Sequence, residues 1–336
     1  MRVQLRPTSP LALALAVAGV LTAAAAGAQI RIQDRVVAGA DAARRGFQER
    51  DFPRLHQVTD SVYAVEDLAG AIDSNLAFTT NALFVVTPEG VVVLDGFRNV
   101  ERTRALIRVI AGVTSQPIRY LVIGADHGDH TAGNQAFIDA YPEVVFIAHP
   151  NAALPDAQRA RVGRYVADQY VLALGGVSFD IRFLGRAHTG SDLVVHMPQF
   201  DLLWASETFF NGLYPSPGGG RTAFPKEWYD VLQRIDAVGA GLILPNHGFI
   251  DGPATMRAAW RDWLALFDNL VSQGTALHAR GVRLDGASYA IDIGRFQYWY
   301  RAANNLHTML LRLYAELDDT LEPYAVTPRT PAVRLP

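Results

Sequence analysis

Asp126-His127-Gly128-Asp129-His130-Thr131-Ala132-Gly133-Asn134 sets two imidazoles and a carboxylate within four residues, 127–130. The apolar run 120–123 precedes it and reads as a buried strand; 135–140 follows and reads as the first turns of a helix. Such a cluster at a strand end points to metal ligation, because a helix-entry loop needs one capping acid and no histidine. The chain has no cysteine, so a metal site here must draw on His, Asp and Glu.

Working outward, the pattern is strands, then strand–helix units. Upstream, 82–86 and 91–94 are apolar runs joined by Thr87-Pro88-Glu89-Gly90, a strand–turn–strand hairpin closed by Asp95-Gly96. Val62-Tyr63-Ala64-Val65 is a further short strand, and 68–80 reads as a small polar flap over a site. Leu106, Val109 and Ile110 stand at helical spacing before Pro117. Downstream, 144–147 reads as a strand and 157–173 as a helix. Three β-like runs follow at 179–183, 193–196 and 202–204. Trp228, Val231, Leu232 and Ile235 make an amphipathic helix after Pro225, and 242–244 is a buried strand. Two long apolar helix faces, 256–271 and 306–317, complete the order. This succession predicts two packed sheets with helices outside, an α/β four-layer αβ/βα sandwich.

Arg2 and Arg6, an apolar stretch over 11–20 and Ala26-Gly27-Ala28 have the form of a signal peptide, with cleavage near Ala28 and export to the periplasm or medium. The apolar stretch is short for a membrane span. The predicted organisation is a signal peptide over 1–28, an N-terminal arm over 29–54, the main domain with C-terminal helices over 55–322, and a Pro-rich tail over 323–336. The mature chain carries 28 basic against 33 acidic residues, a net charge of −5, which opposes nucleic-acid binding and supplies no polybasic membrane patch. A small-molecule substrate is the expected partner. Gly218-Gly219-Gly220 lacks the Lys and Ser/Thr of a phosphate loop, and no Gly-x-Ser-x-Gly elbow occurs.

Of nine histidines, four sit where strands end. His127 and His130 are in the opening cluster. His188 lies in Gly185-Arg186-Ala187-His188-Thr189-Gly190-Ser191-Asp192, and His247 in Pro245-Asn246-His247-Gly248. Strand ends are where a rigid sheet can present converging ligands. His149 is expected to be structural, and His56, His196, His278 and His307 to have no metal role.

The cluster with Thr131-Ala132-Gly133-Asn134, the Gly-x-Ala-His-Thr segment, the Asn-His-Gly turn and the hairpin ending Leu94-Asp95-Gly96 together resemble the metallo-β-lactamase fold superfamily over roughly 60–250. The resemblance implies an αβ/βα sandwich with one or two metal ions, usually zinc, hydrolysing esters, amides, lactams or phosphates. Carried over, one site would hold His127 and His188, the other Asp129, His130 and His247. The family motif His-x-His-x-Asp-His here begins with Ala125, and the place of the family's bridging acid reads Ser206-Glu207-Thr208, making Glu207 its counterpart.

Three arrangements follow from Ala125: a weakened or empty first site beside an intact second; a first site completed by Glu207, suited to zinc but also to iron or manganese; or Asp126 turned inward. The implied reaction is attack of metal-bound hydroxide on a carbonyl or similar electrophile, with water acidified to a pKa of about 7 and Asp129 orienting the hydroxide or moving a proton. The alternatives are a non-catalytic binding protein, or an altered iron or single-zinc protein, on the same scaffold. Asp95 is expected to hydrogen-bond the loop beneath the site. The segment 209–220 is a candidate cleft lining.

Overall fold

The computed structural model describes residues 39–72, 77–218 and 222–321. The expected signal peptide and the Pro-rich tail lie outside the described residues. Among the described residues no helix is long and apolar enough to cross a membrane.

Two sheets form the centre. The first has seven strands in sequence order: β1 (Arg54–Gln57), β2 (Val62–Ala69), β3 (Phe78–Thr87), β4 (Gly90–Leu94), β5 (Ile118–Val122), β6 (Val145–Ala148) and β7 (Val162–Tyr165). β1 to β4 run antiparallel, and β4 to β7 are parallel. The second sheet orders β12 (Leu242–Leu244), β11 (Leu202–Trp204), β10 (Leu193–Met197), β9 (Val177–Phe183) and β8 (Gln169–Leu174), with β11 and β12 parallel.

The helices are α1 (Val100–Val113), α2 (Gly128–Thr131), α3 (Gln135–Ala140), α4 (Asp156–Arg159), α5 (Pro225–Asp236), α6 (Pro253–Ala279), α7 (Leu284–Ala290) and α8 (Ala302–Leu317). The two-residue period of a strand assigns them to layers. Leu83, Val85, Val92, Leu94 and Val122 face the second sheet, in one core with Phe179, Val195 and Trp204. Their neighbours Ala82, Phe84, Val91, Val93 and Leu121 face Leu106 and Ile110 of α1 and Phe137 of α3. Both faces are buried, so β4 and the 82–86 part of β3 read as continuous apolar runs. Beyond the second sheet lie α5 and α6, whose Trp228 and Trp263 are fully buried. The mixed α/β four-layer sandwich expected from the sequence is what is observed.

The hairpin turn is as expected: Thr87 pairs with Gly90, which adopts φ 139°, a conformation glycine tolerates. The helix expected over 157–173 is not formed. After the single turn of α4 the chain enters β7 and β8. β7 extends the first sheet beside β6, and Gln169–Leu174 pairs along its whole length with β9. In β8 Leu172 and Leu174 are buried while Val171 is 50% exposed, a strand alternation that overrides the helical reading. The described part of the arm, from Gly39, packs against the domain. Buried Arg45 makes a two-pronged pair with Asp251, at 2.8 Å for each prong.

Candidate metal centre

Parallel strands leave their C-terminal ends on one side of the sheets, and the candidate ligands collect there. His127 caps α2, the turn after β5 that carries Asp129 and His130. Glu207 sits in the short turn Ser206–Thr208 after β11, and His247 follows β12. His188 comes from the loop between β9 and β10.

Asp95, at the end of β4, ties these segments together from below. Its Oδ1 accepts from the Gly124 N–H at 2.7 Å and the Ala125 N–H at 3.3 Å. Its Oδ2 accepts from Trp204 Nε1 and Asn246 Nδ2, each at 3.1 Å, and from Ser206 Oγ at 3.4 Å. One carboxylate thus gathers the stretches leading to His127, Glu207 and His247. Burial pushes its pKa up, against those donors and the nearby His130. A Cβ on Gly124 would lie 2.4 Å from Ser206 Oγ, so only glycine lets β5 and the Glu207 turn approach this closely.

Glu207 is 1% exposed, and four imidazoles surround it. Its Oε2 lies 3.1 Å from His127 Nδ1. Its Oε1 lies 3.1 Å from His247 Nε2, 3.3 Å from His130 Nε2 and 3.5 Å from His188 Nε2. Two groups of ligand atoms converge, Asp129–His130–Glu207–His247 and His127–His188–Glu207, and Glu207 belongs to both. Asp126 is engaged elsewhere, its Oδ2 accepting from the Ala153 N–H at 2.6 Å. Ala125 is 1% exposed and offers a methyl group.

A backbone carbonyl and a threonine hydroxyl fix two of the rings. His247 Nδ1 lies 2.8 Å from the Thr79 carbonyl, which can only accept, so Nδ1 carries the proton and Nε2 turns its lone pair inward. Thr222 Oγ1 donates to the His188 carbonyl at 2.7 Å and so accepts from His127 Nε2 at 3.2 Å, which leaves the His127 Nδ1 lone pair facing Glu207 and His188. Ring nitrogens thus crowd one another at the centre, and the Nδ1 atoms of His130 and His188 are buried with no hydrogen-bond partner. His130 Nε2 stands 3.3 Å from His247 Nε2, and His127 Nδ1 stands 3.1 Å from His188 Nε2. Glu207 Oε2 is buried with no hydrogen-bond partner. Such a constellation needs positive charge at its centre, and the donor set of imidazoles and carboxylates suits a divalent transition metal.

Protonation expresses the same demand. Burial opposes a charge on His127, but Glu207, Asp126 and Asp129 outweigh it and lift the ring to about 10. Burial of His130 is likewise outweighed by Asp129 and Glu207, to about 9. Burial wins at His188, helped by the charges of His127 and His247, and holds it at about 3. Burial works against the Glu207 carboxylate, but His188, His127 and His130 keep its pKa well below the usual range. Asp192 shapes the His188 loop by accepting from the Thr189 N–H and hydroxyl at 2.7 and 2.6 Å. Burial and the Glu207 charge push it up to about 7.

The centre opens into a cleft of about 730 Å³, lined also by Phe78, Phe210, Leu213, Pro217, Gly218 and Arg301. The expected cleft-lining segment contributes up to Gly218, and Gly219 and Gly220 lie outside the described residues. His149 stacks on Phe183 at 4.0 Å, away from the centre. His56, His278 and His307 pair with Glu66, Asp318 and Ser288. Phe296 and Trp299 pack inward, Trp299 stacked on Trp263, while Tyr298 is 80% exposed. Thr222 and Arg301 carry no signal in the sequence, and Thr79 is legible there only as part of the stretch 68–80 expected over the site. They reach the site from β3, the loop before α5 and the start of α8.

The sequence model of the metallo-beta-lactamase superfamily matches residues 76–247, half of the chain. The metallo-beta-lactamase IND-1 of Chryseobacterium indologenes is 22% identical over 172 residues, which are 51% of this chain and 72% of that protein. The solved metallo-beta-lactamase from Pontibacter korlensis superposes with a TM-score of 0.56 at 22% identity, covering 64% of this chain and 99% of that one. The stereoselective inverting sec-alkylsulfatase Pisa1 from Pseudomonas sp. superposes with a TM-score of 0.60 at 15% identity, covering 78% of this chain and 49% of that one.

Proposed function

The chain belongs to the metallo-β-lactamase superfamily, a family of metal-dependent hydrolases, and on that premise we propose that it hydrolyses a small molecule at the centre described above. In this reading His127, His188 and Glu207 hold one ion, and Asp129, His130 and His247 hold a second, with Glu207 shared. The observation that carries the reading is that Glu207 belongs to both ligand groups, its Oε2 3.1 Å from His127 Nδ1 and its Oε1 within 3.5 Å of His130, His247 and His188.

Zinc is the metal we favour; two imidazoles and a carboxylate also suit iron or manganese. When bound, such an ion supplies acidified water and polarises a carbonyl or related electrophile. The rest falls to the chain. Thr79 and Thr222 hold His247 and His127 with their lone pairs inward. Asp129 has a side chain 25% exposed, where His130 and Glu207 are sealed, so it is the carboxylate placed to hold or move a proton at the cleft side. Phe78, Phe210 and Leu213 give the cleft an apolar floor that excludes water and suits the body of an organic ester, lactam or related substrate. Support for export is the sequence of residues 1–28 alone.

The test is a metal titration of chelator-stripped protein, followed by elemental analysis and turnover of a chromogenic ester and lactam panel. Up to two equivalents bound, with turnover that chelation abolishes, is the expected result. Metal binding without turnover of any substrate favours a binding protein on this scaffold. Absence of metal uptake sinks the reading.

A further inference from the structure

Arg301 precedes α8 in the left-handed conformation, φ 64°, and is held there from both sides. The carbonyl of its neighbour Tyr300 accepts from the Tyr214 N–H at 2.9 Å, and Asn305 Nδ2 donates to the Tyr214 carbonyl at 3.1 Å. The start of α8 is thereby fastened to the cleft-lining segment that carries Leu213. Asn304, Asn305 and Thr308, on the same side of α8 by helical spacing, line the cleft with Arg301. The guanidinium carbon lies 5.6 Å from the centroid of Phe78, the aromatic ring that also packs edge-on against His247 at 5.0 Å.

Among the described residues lining the cleft, Arg301 is the sole Lys or Arg. Its Nε is buried with no hydrogen-bond partner, and no described carboxylate forms an ion pair with it. By contrast Arg45, whose side chain is 2% exposed, is fully engaged by Asp251. A partly buried guanidinium is costly to leave unpaired, and its planar fork matches the two oxygens of a carboxylate or similar oxyanion.

Resting on the hydrolase reading, we propose that Arg301 anchors an anionic group of the substrate, remote from the bond that is cleaved. The metal-centre residues and Arg301 line the same cleft, and the Phe78 ring touches both His247 and the Arg301 guanidinium. The substrate class is therefore an organic ester, lactam or related compound with a carboxylate at one end, an apolar middle and the scissile bond at the other. Arg301 is a specificity-determining residue and takes no part in bond breaking.

The experiment compares metal-loaded wild type, Arg301→Gln and Arg301→Lys, each checked for equal metal content. Two ester probes share an apolar body, one bearing a distal carboxylate and the other the corresponding primary amide. The wild type is expected to prefer the carboxylate ester in kcat/KM, and Arg301→Gln to lower that preference on the order of 30-fold, as truncation of one partner of a desolvated charge pair does. Arg301→Lys, which keeps charge and loses the fork, retains part of it. An equal preference in wild type and Arg301→Gln overturns the proposal, as does a wild type with no preference.

Should the wild type turn over neither ester, the result bears on the hydrolase reading alone, and calorimetric binding of an arylacetate against its arylacetamide still decides this one. A carboxylate preference lost in Arg301→Gln supports the anchor. A preference kept in Arg301→Gln assigns the anion to the metal and overturns it.

Discussion

Glu207 Oε2 lies 3.1 Å from His127 Nδ1, on the side of the centre where the motif has Ala125 in place of an imidazole. In the proposed reading the Glu207 carboxylate stands where the family motif offers a further imidazole. Glu207→Ala is expected to lower metal content by at least one equivalent, read by elemental analysis. Adding Ala125→His to that variant returns an imidazole to the motif and is expected to recover the lost equivalent. An unchanged stoichiometry in Glu207→Ala removes Glu207 from the ligand set.

Asp95→Asn keeps the size of the side chain and suits the residue's positive φ of 64°, but replaces acceptor lone pairs with an amide N–H₂. At least one of Trp204 Nε1, Asn246 Nδ2 and the Gly124 N–H then loses its partner in a buried setting. The expected cost is about 3 kcal/mol in chemical denaturation, with weaker metal uptake at both sites because all three ligand-bearing ends loosen together. A variant with unaltered stability and metal affinity would show that the strand ends hold their positions without this hub.

Thr222→Val removes the acceptor of the His127 Nε2–H while conserving volume. His127 then loses the bond that fixes its tautomer, and metal affinity is expected to fall about 10- to 100-fold at the His127 side alone. Two-step metal titration should show one phase shift and the other stay. A uniform shift of both phases would contradict the division of the centre into two ligand sets.

His149 supplies a pH dependence separable from the metal centre. Burial against Phe183 lowers its pKa from 6.5 to about 4, so the folded protein holds it neutral where the unfolded chain would take up a proton. The sign follows: its contribution is fully present above the unfolded pKa near 6.5 and is lost as pH falls toward 4, by up to about 3 kcal/mol. His149→Phe is expected to flatten the acid limb of the stability–pH curve between those values. Parallel curves for the two proteins would place His149 in a hydrated setting.

Much of the fold is legible in short stretches. The unbroken apolar runs 82–86 and 91–94, the Pro88-Glu89-Gly90 turn and the helical spacing of 228–235 each declare an element, because such patterns depend on near neighbours in the chain. The failure over 157–173 has the opposite origin. Nothing local tells Gln169–Leu174 that β9 will pair with it, and that pairing makes it a strand.

The centre divides in the same way. His127, Asp129 and His130 are visible as a group because one helical turn after a strand brings residues two and three apart to one point, and their spacing is covalent. His188 and His247 announce themselves as imidazoles at strand ends. Which oxygen of Glu207 faces which ring, that Asp126 turns away to Ala153, that Thr222 sets the His127 tautomer, and that Arg301 reaches the cleft were decided only by tertiary structure. The physical reason is distance along the chain. The motif fixes chemistry within one turn, whereas Asp95, Glu207 and Arg301 meet it only after β4, β11 and α8 have been packed into register.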